Sequence, residues 1–177
     1  MNKWIDPKTY RNTLKPIDNA LSITPETYYD HEYYKVEKEK LFKNNWVAIG
    51  YTNELNNHTM VSSNIQNTPI IITKDKRGKI GAFHNVCRHR GCKLVENPRK
   101  TRIIACPYHN WIYELSGELK KTPLYRPDVD NFDKRDYSLF PIQTEINNNI
   151  IFGKLGDEFK PPPSETMGNA FKVLDDY

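Results

Sequence analysis

Four side chains in this sequence have the types and spacing to hold metal. Cys87 and His89 form a Cys-x-His pair, a sixteen-residue spacer follows, and Cys106 and His109 form a Cys-x-x-His pair. Each short loop offers one thiolate and one imidazole. Two Cys and two His suit a binuclear iron–sulfur cluster in which the thiolates hold one iron and the imidazoles the other. Neutral imidazoles make such a cluster less negative than four thiolates do. Its potential is accordingly higher, about −150 to +300 mV for the class. Gly91, beside the first pair, can take a positive φ or allow a close backbone approach.

Two plainer readings stand beside this one. Two Cys and two His also make a structural zinc site, although zinc pairs usually open on Cys-x2–4-Cys. The four residues could also be unrelated core positions, since free Cys is often buried.

The flanking residues carry a resemblance. The run Phe83-His84-Asn85-Val86-Cys87-Arg88-His89-Arg90-Gly91 and the run Cys106-Pro107-Tyr108-His109-Asn110-Trp111-Ile112-Tyr113 resemble the Rieske domain of ring-hydroxylating oxygenase large subunits. They are most similar to the choline and carnitine monooxygenase branch. The resemblance spans about residues 25–156. It implies a Rieske [2Fe–2S] cluster on Cys87, His89, Cys106 and His109, surrounded by Arg88, Arg90, Gly91, Trp111 and Tyr113. One departure is Asn110, where the family has Gly. Asn tolerates positive φ better than most residues, so the loop is expected to survive.

Further departures bear on the electron chemistry. Respiratory Rieske proteins brace their two loops with a disulfide from the position of Cys92, and here its partner position is Tyr108. Cys92 is therefore expected to be a small buried residue. High-potential members also place a Ser and a Tyr after the last His, both donating to cluster sulfur. Here those positions are Trp111 and Tyr113, so one donor is lost and a potential in the lower part of the range is expected. Trp111 is expected to pack against the loop.

The resembling oxygenases also carry a mononuclear iron held by two His and a carboxylate. This sequence has five His, and none follows His109. The expectation is an electron-transfer component, with the oxygenase iron on a separate polypeptide or lost by truncation. No catalytic residue is assigned. A free-standing Rieske ferredoxin is the alternative, although such proteins generally lack a helix before the sheet. The expected partners are a ferredoxin or flavin reductase as donor and a mononuclear-iron oxygenase polypeptide, with room for a homo-oligomer.

The elements that must position these residues read as mainly β: an antiparallel Rieske-type β-sandwich or barrel with two cluster-binding loops and a short N-terminal α-helix. Residues 1–29 look irregular, broken by Pro7, Pro16 and Pro25. Asp30 can cap a helix to about Phe42, with Glu32 in its first turn. Its apolar stripe, Tyr33, Val36 and Leu41, is partial. Strands are expected at 46–50, 59–63, 69–73, 79–83, 102–105 and 111–115, with a turn at Asp75-Lys76-Arg77-Gly78. Residues 46–50 read as buried, and Trp46 and Phe83 as core. Lys93, Arg99, Lys100 and Arg102 make the spacer basic, either a solvated hairpin or a docking face for an acidic donor. Residues 118–136 read as a polar covering loop. A closing hairpin is expected from 137–144 and 149–154 around Asn147-Asn148. Pro161-Pro162-Pro163 reads as an extended linker, with a helix beginning near Glu165. Three units result: an arm and helix over 1–42, a Rieske domain over 43–156 and a Pro-rich linker and tail over 157–177.

Composition agrees. At 177 residues with 37% hydrophobic content, one real core is affordable. The mean hydropathy of −0.77 gives no membrane span. Residues 1–10 lack the apolar stretch of a signal peptide. Three Cys with two committed to iron leave no disulfide, which points to a reducing cytoplasm. A net charge of +4 is too diffuse for nucleic acid.

Overall fold

The computed structural model describes residues 2–123 and 132–170. Among these, nine antiparallel strands form a six-stranded and a three-stranded sheet. In chain order they are β1 (Val47–Tyr51), β2 (Met60–Ile65), β3 (Thr68–Lys74), β4 (Ile80–His84), β5 (Ile103–Ala105), β6 (Ile112–Glu114), β7 (Leu119–Lys121), β8 (Pro141–Asn147) and β9 (Ile150–Lys154). The larger sheet runs β1-β9-β8-β4-β3-β2 and the smaller β5-β6-β7. The edge strands β1 and β2 come into contact, so the larger sheet nearly closes into a barrel.

Strand β3 is the wall shared by two cores. Side chains alternate across a strand, and Ile70 and Ile72 face one core while Ile71 faces the other. The first core is almost wholly aliphatic, with Val61, Ile65, Ile142 and Ile151. The second adds Phe83, opposite Ile71 in the β3–β4 register, and contains Cys87, Cys106, Trp111 and Tyr113. The candidate site therefore grows out of a core of its own.

The β3–β4 hairpin follows its sequence. Asp75 Oδ1 accepts from the N–H groups of Arg77 and Lys79, and Gly78 takes φ 81°. The helix does too: Asp30 caps α1 (His31–Glu37) by accepting from Glu32 and Tyr33 N–H, and a π-turn continues it over Lys38–Phe42. Its expected stripe is only half realised. Tyr33 packs edge-on against Trp4, but Leu41 is exposed and Phe42 turns into the aliphatic core instead. The π-turn rotates the last residues and moves the contact by one position.

Other expectations need correcting. Residues 46–50 are not a fully buried strand. β1 is an edge strand with only Ile49 buried, because β9 alone pairs with it. Trp46 is half-buried rather than core, and its indole N–H donates to Lys160 O at 3.2 Å, pinning the chain after β9. The connection after residue 117 is not a bare loop: Leu119–Lys121 is β7, and Lys134–Tyr137 is a 3-10 turn capped by Asp133. Residues 124–131, with Pro127, lie outside the described residues. β8 starts at Pro141, not 137, and the β8–β9 turn is at Asn148 and Asn149, with φ 44° and 62°. This is one residue later than expected, and both residues sit where Asn is favoured. Residues 2–29 contain short 3-10 turns, and Trp4 among them is buried. The last short helix, α2, opens at Pro163 (Pro163–Thr166), so the third Pro begins a helix, where its fixed φ suits. Residues 171–177, where that helix was expected to continue, lie outside the described residues.

Candidate iron–sulfur site

Two loops carry the four candidate ligands, and they close in the same way. In the first, Cys87 N–H donates to Cys92 O at 2.8 Å and Gly91 N–H to Cys87 O at 3.0 Å. In the second, Cys106 N–H donates to Trp111 O at 2.8 Å and Asn110 N–H to Cys106 O at 3.0 Å. The fifth residue of each loop has positive φ, 71° at Gly91 and 54° at Asn110. Asn110 thus does what Gly does, as expected from its tolerance of this region.

The loops bring like ligands together. Cys87 and Cys106 are both buried, and their thiols lie beside each other. The His89 and His109 rings meet edge to face with centroids 4.7 Å apart, nearer the surface. Among the described residues, no three His, Cys, Asp or Glu side chains converge on one point as a single-ion site requires. A pair of thiols and a pair of imidazoles is the division a two-iron cluster uses, one pair for each iron. The residues present therefore fit such a group.

The surroundings tune three of the four candidate ligands. Burial pushes the Cys87 thiol up, against a contact from the Tyr113 hydroxyl at 3.3 Å. Burial acts on Cys106 as well, but the N–H groups of His109 and Tyr108 help bring its thiol below the ordinary value. The second loop thus favours thiolate through backbone donors. Desolvation, then the charges of His109 and Arg90, hold His89 below its ordinary pKa, favouring the neutral imidazole that binds metal.

Each surrounding residue named from the sequence has a place. Tyr113 is fully buried, its hydroxyl on Cys87 Sγ and accepting from Arg88 N–H at 3.0 Å; burial drives its pKa up, keeping it a donor. The Arg88 guanidinium donates to Ser138 O at 2.8 Å and lies 3.7 Å from the Phe140 ring centroid. Arg90 is exposed and acts only as a charge beside His89. Trp111 is buried and stacks on His89. Cys92 is half-buried against the site core, more open than expected.

Two groups of residues were not singled out from the sequence. Asn85 is fully buried; its carboxamide accepts from Leu94 and Val95 N–H and donates to Val95 O, stapling the chain after the first loop. A buried Asn beside a ligand Cys is a signal only when the returning strand is known. Phe132 packs on the site core from the segment that reads as a polar covering loop, and Tyr137 and Leu139 from the stretch that reads as the start of the closing hairpin.

The fold and the paired loops define an iron–sulfur electron-transfer module. Residues 45–137 match the Rieske [2Fe-2S] domain, and the chain belongs to that family, with a Rieske-type [2Fe–2S] cluster as its cofactor. It is 31% identical over 157 residues to the glycine betaine monooxygenase oxygenase subunit of Pseudomonas aeruginosa, covering 88% of this chain and 36% of that protein. It is 29% identical over 158 residues to the carnitine monooxygenase oxygenase subunit of Escherichia coli K12, covering 88% and 42%. The naphthalene 1,2-dioxygenase structure from Rhodococcus sp. superposes with a TM-score of 0.82 at 26% identity, over 95% of this chain and 39% of that one. A quaternary ammonium Rieske monooxygenase bound to gamma-butyrobetaine superposes at 0.80 with 26% identity, over 97% and 48%. The chain spans about two fifths of the length of the relatives it matches. Among the described residues no helix is long and apolar enough to cross a membrane.

Proposed function

We propose that Cys87 and Cys106 hold one iron of the cluster and His89 and His109 the other, and that the module delivers single electrons to a mononuclear-iron oxygenase centre acting on a quaternary ammonium compound. The observation that carries this reading is the pair of identically closed loops, with thiols buried together and imidazoles together at the rim. When bound, the cluster takes up and releases one electron at a time. The protein's own part is to exclude water from the thiols, keep the Tyr113 hydroxyl on Cys87, and leave the imidazole side open to a partner.

The module is residues 43–156, with 1–42 as arm and helix and 157–177 as linker and tail. The donor is a ferredoxin or flavin reductase in the cytoplasm, where Cys92 stays reduced. Residues 1–177 carry no His after His109, so the oxygenase iron lies on other sequence. One solved relative is described in terms of carnitine oxidation and inter-subunit electron transfer, which supports an oligomer in which the acceptor iron belongs to a neighbouring subunit that carries that other sequence. The test uses the purified chain with NADH and a flavin reductase. The expected result is uptake of one electron per chain, seen by bleaching, and no oxidation of carnitine, glycine betaine or choline. Product formation by residues 1–177 alone would overturn this reading.

A further inference from the structure

We infer that Trp111 is a positioning residue for His89: it sets the plane of an imidazole that belongs to the other loop and so braces the two halves of the site without a covalent bridge. This rests on the ligand assignment above. The two rings are almost parallel, 7° apart in plane with centroids at 4.8 Å. A hydrogen bond to the imidazole would occupy a ring nitrogen. Stacking covers only the face and leaves the nitrogens in the ring plane available, so that one could hold iron.

Trp111 is itself held. It is 4% exposed, and the rings of Phe132 and Tyr137 meet it edge-on at 6.1 and 5.7 Å. Those two rings stack on each other at 4.7 Å. Their segment is tied down at both ends of the site: Ser138 O accepts from Arg88 of the first loop, and Leu139 N–H donates to Gly117 O in the turn between β6 and β7 at 2.8 Å. Gly117 has φ 87°, and a Cβ there would collide with the Phe83 ring, so this anchor requires Gly. The contacts close a circuit from Arg88 through Ser138 and Tyr137 to Trp111, and from Trp111 back to His89.

Among the described residues His109 has no such buried backing. Its ring neighbours are His89 and Tyr108, and Tyr108 is 61% exposed. Cys87, Cys92 and Cys106 are all free, so among the described residues no disulfide joins the loops. His89 stands on an exposed loop, and the buried indole is the rigid element it meets.

The test compares the whole chain, anaerobically purified, with Trp111→Leu, Trp111→Phe and Tyr137→Leu. Iron and sulfide are counted first. The reduced proteins are then examined by electron paramagnetic resonance and by release of iron to a ferrous chelator. Trp111→Leu should change the spread of g-values and release iron roughly 10- to 100-fold faster, the usual effect of removing a partner that orients a metal ligand. Trp111→Phe should restore most of both, since a stacked ring remains. Tyr137→Leu, which removes one wall behind the indole, should shift the same readouts less. Trp111→Leu with the wild-type spectrum and release rate would overturn the inference. Should that variant not load, a wild-type result from Tyr137→Leu would do so. A wild-type chain without iron and sulfide would instead overturn the ligand assignment.

Discussion

The two ligand loops share a backbone and little else. Both return the fifth N–H to the first carbonyl and both place positive φ at that fifth residue. The first loop is tied down at its flanks, although His89, Arg90 and Gly91 are exposed. Asn85 staples its exit, Arg88 ties it to residue 138, and Tyr113 reaches its thiol. The second exposes Pro107, Tyr108 and Asn110, and its thiol is met by the loop's own backbone N–H groups at His109 and Tyr108. Loop closure is thus the common requirement for presenting a Cys and a His. What differs is how each loop is held, by side chains from distant positions in the first and by its own backbone donors in the second.

The largest way to break the comparison is to remove a thiol. Cys87→Ser and Cys106→Ser should each lose essentially all cluster iron, because metal binding and folding of the site are one equilibrium. Iron analysis and near-ultraviolet circular dichroism report both. Equal loss from both loops is expected although only the first is held by the Asn85, Arg88 and Tyr113 side chains.

Tyr113→Phe touches the first loop alone. It leaves Arg88 N–H without its acceptor, which should cost about 1–3 kcal/mol in a denaturant melt. It also removes the hydroxyl on Cys87 Sγ and should lower the midpoint potential, since such donors favour the more negative reduced state. The wild-type value itself should lie in the lower part of the range of about −150 to +300 mV. Protein-film voltammetry measures both.

A smaller effect sharpens the shared feature. Gly91→Ala and Asn110→Ala should each destabilise by about 1–2 kcal/mol if positive φ is what both loops need. A Cβ at Gly91 meets nothing within 4 Å, so its penalty is conformational and not steric. Asn110→Gly should be neutral or stabilising by less than about 1 kcal/mol. Thermal melts separate these outcomes.

The smallest effect concerns the segment that clasps the first loop. The side chain and N–H of Arg135 hold Asp133 down at a pKa of about 2. A depressed carboxylate adds stability that is fully present above its unfolded pKa of about 3.9 and fades as pH falls through about 2. Asp133→Asn should therefore flatten that part of the acid-unfolding curve slightly, and leave neutral pH almost unchanged.

What was legible in the sequence is what depends on neighbours along the chain. The ligand spacing, the tolerance of Asn110 for positive φ, the Asp75 turn and the Asp30 cap are all local chemistry. So is the short β-branched run Ile70-Ile71-Ile72 that makes β3 a strand. The missed features join distant residues. Arg88 meets Ser138 fifty positions away, and Trp46 meets Lys160 across 114. β7 is only three residues, Leu119–Lys121, with one buried side chain, too short for a period to show. Lys154 is 2% exposed at the end of a strand, which no hydropathy pattern announces; its ammonium donates to Gly156 and Glu158 carbonyls. Leu41 was misassigned because the π-turn breaks the 3.6-residue period on which its face was judged.

The central claim is that two Cys and two His hold a binuclear cluster. The direct test is iron, acid-labile sulfide and zinc analysis of the anaerobically purified chain, with visible absorption before and after reduction. The account predicts about two irons and two sulfides per chain and a coloured protein that bleaches on taking up one electron. One zinc per chain, no sulfide and no visible absorption would contradict it.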